Sequence, residues 1–154
     1  MAEQYAQLDR VPQALRQWSL WVATHGSDAH LASVLNSRCW LRLRHRLELP
    51  QALEDCRQAV RLDAGEASFR DSLGWAHLQS GDAAAAVKAF DAALAIRPVA
   101  YSHYGRALAR LRLGDAAGSQ RDLAAAREQR PGIDENIRRE GLPVAGDAPQ
   151  QAAR

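Results

Sequence analysis

Two cysteines, Cys39 and Cys56, are the side chains of this sequence with the clearest chemical options. Both fall near the middle of segments with helical character, so an antiparallel helix pair would bring them face to face. One outcome is a disulfide, structural or redox-sensitive. The other is a pair of small buried hydrophobes. Packed helix axes lie about 8–10 Å apart and disulfide Cα atoms within about 7 Å of each other, which favours the buried pair. Five histidines (His25, His30, His45, His77, His103) show no paired metal-ligand spacing, and none stands in a His-Glu-x-x-His frame. Surface or packing roles are expected for them, with no metal site. Glu54 and Asp55 are neighbours on a helix, point in different directions and make no catalytic pair. With no nucleophile motif and no glycine-rich phosphate loop, neither an enzyme nor a cofactor is expected. The most basic patch is Arg38, Arg42, Arg44, His45 and Arg46. Because Glu48, Glu54 and Asp55 lie close by, it reads as a solvated face rather than a nucleic-acid contact.

Composition narrows the classes further. A chain of 154 residues is one domain or a short repeat array, and 47% hydrophobic content, much of it Ala and Leu, suits a helical core. Basic and acidic residues nearly balance, 20 against 18, for a net charge of +2. That gives no overall case for nucleic acid or an acidic membrane surface. No apolar run approaches the roughly 20 residues of a membrane span. The opening MAEQYAQLDR lacks the basic-then-apolar order of a secretory signal. Two cysteines are too few for a disulfide framework. The expected compartment is the cytoplasm.

The elements that must carry these residues are organised around residues 67–98, ASFRDSLGWAHLQSGDAAAAVKAFDAALAIRP. An apolar segment through Leu73, Gly74 and Ala76 is broken by Gly81-Asp82. Ala86, Phe90 and Ala93 follow at helical spacing, and Pro98 ends the second segment. Helix, tight turn, antiparallel helix and stop make a helical hairpin. One such hairpin cannot bury its own apolar face, so copies are expected beside it. Downstream, Pro98 and Pro131, Gly81-Asp82 and Gly114-Asp115, Ala93 and Ala126, Phe90 and Leu123, and Gly74 and Ala107 are each 33 residues apart. Upstream, Ala52, Cys56 and Ala59 precede Ala86, Phe90 and Ala93 by 34. Trp40 precedes Trp75 by 35, which puts one extra residue in the first turn.

The repeats predicted from these spacings are 32–65, 66–99 and 100–132. Pro12-Gln13-Ala14-Leu15 recurs as Pro50-Gln51-Ala52-Leu53. Residues 11–24 therefore read as the second helix of a degenerate half-repeat, 1–31, which is either an adapted N-terminal cap or the edge of a longer array. Pro12 and Pro50 suit a first helical turn, and Asp82 and Asp115 suit N-caps. The alternation in LRLRHRLEL, residues 41–49, is a strand signature. The repeat register overrides it, because a lone strand in a helical array has nothing to pair with. Residues 133–142 read as a short capping helix with Ile133 and Ile137 on one edge, and 143–154 as a disordered tail.

The pattern resembles the tetratricopeptide (TPR) repeat. Counting Ala67 as the first residue of its repeat, the eighth position is Gly74, matched by Cys39 and Ala107, and the twentieth is Ala86, matched by Ala52 and Ser119. The twenty-seventh is Ala93, matched by Ala59 and Ala126. The twenty-fourth is Phe90, matched by Cys56 and Leu123, and the thirty-second is Pro98, matched by Pro131 and, in departure, Ala64. Small side chains let the helices approach, and the larger one fills the gap beside them. The resemblance covers roughly residues 11–132. It implies an all-α, right-handed superhelix of antiparallel helix pairs, a TPR-like α-solenoid, with about three repeats, an N-terminal partial repeat and a C-terminal capping helix.

The resemblance also implies a non-catalytic scaffold that binds a protein or peptide segment in a concave groove lined by the first helix of each repeat. The matching groove positions are Asn36, Trp40 and Arg44, then Asp71, Trp75 and Gln79, then Tyr101, Tyr104, Leu108 and Arg112. Trp, Tyr and Arg often dominate binding energy at an interface. Trp40 and Trp75 can instead pack between hairpins. Tyr101 and Tyr104 are expected to be partly exposed, because a phenol needs a wet or bonded hydroxyl. The family's carboxylate-clamping positions hold Asn36, Trp40, Ser72, Tyr101 and Gly105, without the cation that clamp needs, so chaperone C-terminal tails are not expected as ligands. Two other readings are an accessory or regulatory region of a larger enzyme or complex, and weak self-association through Trp18 and Trp21 of the N-terminal helix.

Overall fold

A computed structural model describes residues 10–146; residues 1–9 and 147–154, and with them parts of the expected half-repeat and tail, lie outside the described residues. Among the described residues there are eight helices and no strand. They are α1 (Val11–Thr24), α2 (Leu31–His45), α3 (Leu49–Leu62), α4 (Ala67–Gln79), α5 (Ala83–Ile96), α6 (Ala100–Arg112), α7 (Ala116–Gln129) and α8 (Ile133–Arg139). The alternating stretch at 41–49 is helical as far as His45, where α2 ends, and its last residue, Leu49, begins α3.

Local chemistry sets the helix ends. Asp82 accepts a hydrogen bond from the Ala85 amide at 2.9 Å, and Asp115 one from the Gly118 amide at 2.8 Å. Each satisfies an amide that has no partner inside its helix. Pro12 and Pro50 sit in the first turns of α1 and α3. Gly81 and Gly114 close α4 and α6 in the left-handed region, φ +88° and +84°, where a side chain would be strained. In the first hairpin the same place is taken by Arg46 at φ 53°, followed by Leu47 and by Glu48 at φ 45°. The extra residue therefore lies between Arg46 and the start of α3 at Leu49.

The hairpins α2–α3, α4–α5 and α6–α7 stack in order, each second helix packing on the next first helix. The first helices also touch in sequence, α2 to α4 and α4 to α6, whereas α3, α5 and α7 make no comparable contacts with one another. The array therefore bends toward the face that α2, α4 and α6 share.

The repeat's small-and-large complement is visible at Phe90. A Cβ added to Gly74 would lie 2.6 Å from the Phe90 ring, and one added to Gly105 would also collide with that ring. Trp75 meets the same ring edge-on with centroids 5.6 Å apart. Two glycines thus admit one buried aromatic between α4, α5 and α6.

In the first repeat the equivalent slots hold Cys39 and Cys56, which are joined as a disulfide with Cα atoms 5.6 Å apart, both residues fully buried. This corrects the expectation of two unlinked hydrophobes. The general helix spacing used for that expectation is too wide here, because Ala52 and Ala59 on α3 are buried without remainder and let the pair close up.

The basic patch is also corrected. Arg38 and Arg42 are not a solvated face, since their side chains are 12% and 7% exposed. Arg38 donates to both Asp55 oxygens, at 2.8 and 2.6 Å; Arg42 donates to Asp55 as well, and to Glu48 at 2.9 Å. The third repeat repeats the device. Arg106 donates to both Asp122 oxygens at 2.9 and 2.6 Å, and Arg110 to Asp122 at 2.8 Å. Burial, the largest single influence, pushes the Asp122 carboxyl up, but the hydrogen bonds and charge of Arg106, with His103 and Arg110, together hold the group below its ordinary value.

Trp18 is buried with Val11, Ala14 and Leu41. Trp21 is half-buried and stacks on His25 at 4.6 Å. The expected self-association contact through Trp18 is therefore closed, because that ring already fills the α1–α2 interface.

Candidate functional site

The groove residues expected from the first helices separate into three groups. Asn36, Trp40, Asp71 and Tyr101 come together around an open depression of about 280 Å³ between α2, α4 and α6. It adjoins a second depression of about 400 Å³, and Ser68, Asp71 and Tyr101 line both. Arg97 and Arg130 flank the second depression, where Arg130 lies over the Tyr101 ring with its guanidinium carbon 5.7 Å from the centroid. Sequence reasoning did not single out these two arginines. The signal was there: each immediately precedes the proline that ends its repeat, 33 residues apart.

Asp71 is the titratable centre of this open half. Burial pushes its carboxyl up to about 6, against the hydrogen bond from Ser102 Oγ at 2.6 Å and the nearby Trp75 indole, which both favour the charged form. The Asn36 side-chain oxygen is buried without a hydrogen-bond partner beside the same depression. Burial, and next the Glu140 carboxylate, hold the Tyr101 hydroxyl above its ordinary value.

A second group is buried. Trp75 and Tyr104 are fully buried and Leu108 is 7% exposed. Their expected place on the groove surface is corrected: all three belong to one apolar cluster with Leu43, Phe90, Ile133, Ile137, Leu142 and Val144. The partial exposure expected for Tyr104 fails because its hydroxyl finds partners inside the protein. It donates to Asp134 at 2.8 Å and accepts from the Ala145 amide at 3.0 Å. Burial pushes the phenol up to about 12, and the Asp134 carboxylate adds to this.

The third group holds neighbouring elements together. Gln79 donates to the Leu43 carbonyl at 3.2 Å, and Arg112 to the Leu78 carbonyl. Both are the last residue of a first helix, and both reach back to the preceding first helix. Desolvation, and next Arg46, lower the Arg112 guanidinium from its ordinary value. Arg44, at the matching place in α2, pairs with Glu140 at 2.9 Å.

That pair belongs to a larger feature. After α8 the chain turns at Gly141 and returns to α2, where Gly141 lies so close to the Arg44 carbonyl that a Cβ would collide with it. Leu142 and Val144 are 4% and 5% exposed. Residues 143–145, expected to begin a disordered tail, therefore pack onto the face shared by the first helices. Val144 has enough apolar surface to join the cluster, and the sequence pattern around it is too short to show this. The C-terminal halves of α2, α4 and α6 are covered by the chain itself, and the N-terminal halves are open.

Among the described residues no helix is long and apolar enough to cross a membrane, and no group of three or more His, Cys, Asp and Glu side chains is placed to hold a metal ion.

The fold is shared with solved structures. A structure of MamA aligns with a TM-score of 0.76 at 18% identity, over 92% of this chain and 88% of that one. MamA AMB-1 aligns with a TM-score of 0.73 at 17% identity, over 85% and 76%. A thermophilic TPR protein of Thermus thermophilus aligns with a TM-score of 0.71 at 22% identity, over 89% and 75%. No family model and no curated protein matches the sequence. The architecture is thus a TPR-like, all-α helical repeat solenoid.

Proposed function

We propose that this chain is a non-catalytic scaffold that holds a segment of another protein on the open half of the α2–α4–α6 face. One observation carries the reading. Trp40, Asp71 and Tyr101, from three successive first helices, line two adjoining depressions that end at Arg97 and Arg130. Both arginines are exposed, and among the described residues neither makes an ion pair. An aromatic floor with two exposed guanidinium groups at one end favours a peptide with an apolar anchor and a carboxylate. The surface is formed before binding, so the scaffold loses little ordering entropy.

The test is selection of a displayed peptide library against the full chain, followed by affinity measurements on Trp40→Ala and Tyr101→Ala. A loss of about tenfold or more in each folded variant supports the reading. Peptides that bind both variants as tightly as the parent chain would place the site elsewhere.

The Cys39–Cys56 disulfide supports an oxidising compartment over the cytoplasm expected from the sequence, since cytosolic thiols are kept reduced. Alkylation of free thiols before lysis of the native cells decides this. Labelling of both cysteines would return the chain to a reducing compartment.

A further inference from the structure

The covered half of the face carries a template for what it accepts. Four features of residues 140–145 read as a bound segment. Glu140 pairs with Arg44 at 2.9 Å. Gly141, at φ +70°, leaves no room for a side chain against the Arg44 carbonyl. Leu142 and Val144 are buried in the apolar cluster that also holds Trp75, Tyr104 and Leu108, while Pro143 between them is half-buried, an alternation of buried and less buried side chains. The Ala145 amide is held by the Tyr104 hydroxyl at 3.0 Å. Its backbone hydrogen bonds are those that close α8, from the Glu140 amide to Asn136, the Gly141 amide to Arg138 and the Leu142 amide to Ile137; residues 143–145 have no helical or sheet hydrogen bonding of their own. Its seat depends on side chains that belong to the first helices.

We propose that residues 140–145 are a built-in competitor on the α2–α4–α6 face. The partner that displaces them is an extended segment of matching chemistry: a carboxylate, then a glycine, then aliphatic side chains two and four residues after the carboxylate. The inference rests on the reading of this face as the binding surface and names its ligand class. Burial of two aliphatic side chains is set against the ordering of a short irregular segment, two opposing contributions of similar size, so the seat is exchangeable. Displacement would join the covered half of the face to the open half, and a longer partner would then run from Arg44 toward Arg130.

The probe is a synthetic peptide, REGLPVAG, which copies residues 139–146 and carries an N-terminal fluorophore. Binding is read by anisotropy against the full chain, Gly141→Ala and Val144→Asp. The first variant pushes a Cβ into the Arg44 carbonyl, and the second puts a charge in an apolar seat. Circular dichroism checks folding, and tryptic cleavage after Arg139 reports release of the segment. At least a tenfold gain in peptide affinity in either folded variant is expected, with loss of binding when the peptide's Glu is replaced by Lys. Folded variants that bind the peptide no better than the parent chain overturn the proposal, whether or not the segment is released. Dimerisation of the parent chain that Val144→Asp abolishes also overturns it, by assigning the seat to the same segment of a second copy. Peptides of the open half that still depend on Trp40 would leave the scaffold reading standing after either failure.

Discussion

Cys39 on α2 and Cys56 on α3 are joined in the slots that Gly74 and Phe90 fill in the next repeat. The bond spans a sequence separation of 17, and closing a loop of that size stabilises a fold by about 3 kcal/mol. For a chain of this length that is about 6–12 °C in melting temperature. Reduction with dithiothreitol should lower the melting temperature by that amount, and the Cys39→Ala/Cys56→Ala variant should melt at the reduced value. A double variant that still responds to reductant would point to an effect unrelated to this bond.

The hairpins were legible in the sequence because their signals are local or periodic. Caps, turn glycines and small residues recur at 33–35 residues, and each obeys short-range chemistry. The disulfide was less visible, since it depends on how closely two particular helices approach. The repeat pattern held the clue: its eighth and twenty-fourth positions are complementary in size and therefore face each other. Trp75, Tyr104 and Leu108 were placed on the groove because the repeat pattern describes a first helix in isolation. Trp75 is buried partly against Phe90 of its own hairpin, and Tyr104 is also held by the Ala145 amide, from a chain segment some forty residues on that no periodicity encodes. Trp40, Asp71 and Tyr101 remain on the open face because that segment stops short of them.

The Tyr104 hydroxyl bridges Asp134 and Ala145, so it fastens both α8 and the segment after it. Tyr104→Phe keeps the ring and removes both bonds. A loss of about 1–2 kcal/mol is expected in urea unfolding, because two partly buried groups lose their partner. Amide hydrogen exchange should rise at Ala145 before it rises in α4. Equal protection at Ala145 in parent and variant would remove the bridge as the fastening.

Asp134 gives the fold an acid limit. The Arg127 hydrogen bonds lower its carboxyl from 3.8 to about 2, outweighing the effect of burial. A carboxyl depressed in the folded state contributes stability that is present above the unfolded value near 3.8 and is lost as pH falls through about 2. The side chain is 33% exposed, so solvent screening reduces the contribution to about 1 kcal/mol. Asp134→Asn should cost that much at pH 7 and almost nothing at pH 2. A constant difference across this range would trace the cost to lost packing.

Asp71 acts in the opposite direction. Its carboxyl rises from 3.8 to about 6 on folding, so between these values the folded chain binds more protons than the unfolded one. Stability therefore falls as pH rises through this window, and the full cost is in place above about pH 6. Two units correspond to on the order of 2–3 kcal/mol. Asp71→Asn retains an acceptor for Ser102 and removes the charge. Its stability should match the parent chain at pH 4 and exceed it by that margin at pH 7, measured as paired urea titrations. Parallel curves at the two pH values would mean that the carboxylate is already solvated in the fold.

The middle repeat provides its own control for the buried ionic network of the first. Arg38, Arg42 and Asp55 occupy positions that hold Leu73, His77 and Ala89 one repeat later, and the third repeat returns to Arg106, Arg110 and Asp122. One array thus contains both the charged and the uncharged solution to the same helix pair. Asp55→Ala alone strands two guanidinium groups in a buried site, and a loss of about 3–5 kcal/mol is expected. Arg38→Leu/Arg42→His/Asp55→Ala installs the middle repeat's solution, and its loss should be no more than about 1 kcal/mol, because paired charges and well-packed neutral residues are close in energy there. The remaining contacts it gives up are a bond from Arg38 to the exposed Ser19 at 3.2 Å and one from Arg42 to Glu48, whose side chain is 51% exposed. Both acceptors can turn to water. Urea unfolding of the three proteins should therefore rank parent and triple variant together, with the single variant well below. A triple variant as unstable as the single one would show that the network stabilises the α2–α3 pair outright, beyond the cost of leaving its charges unmatched.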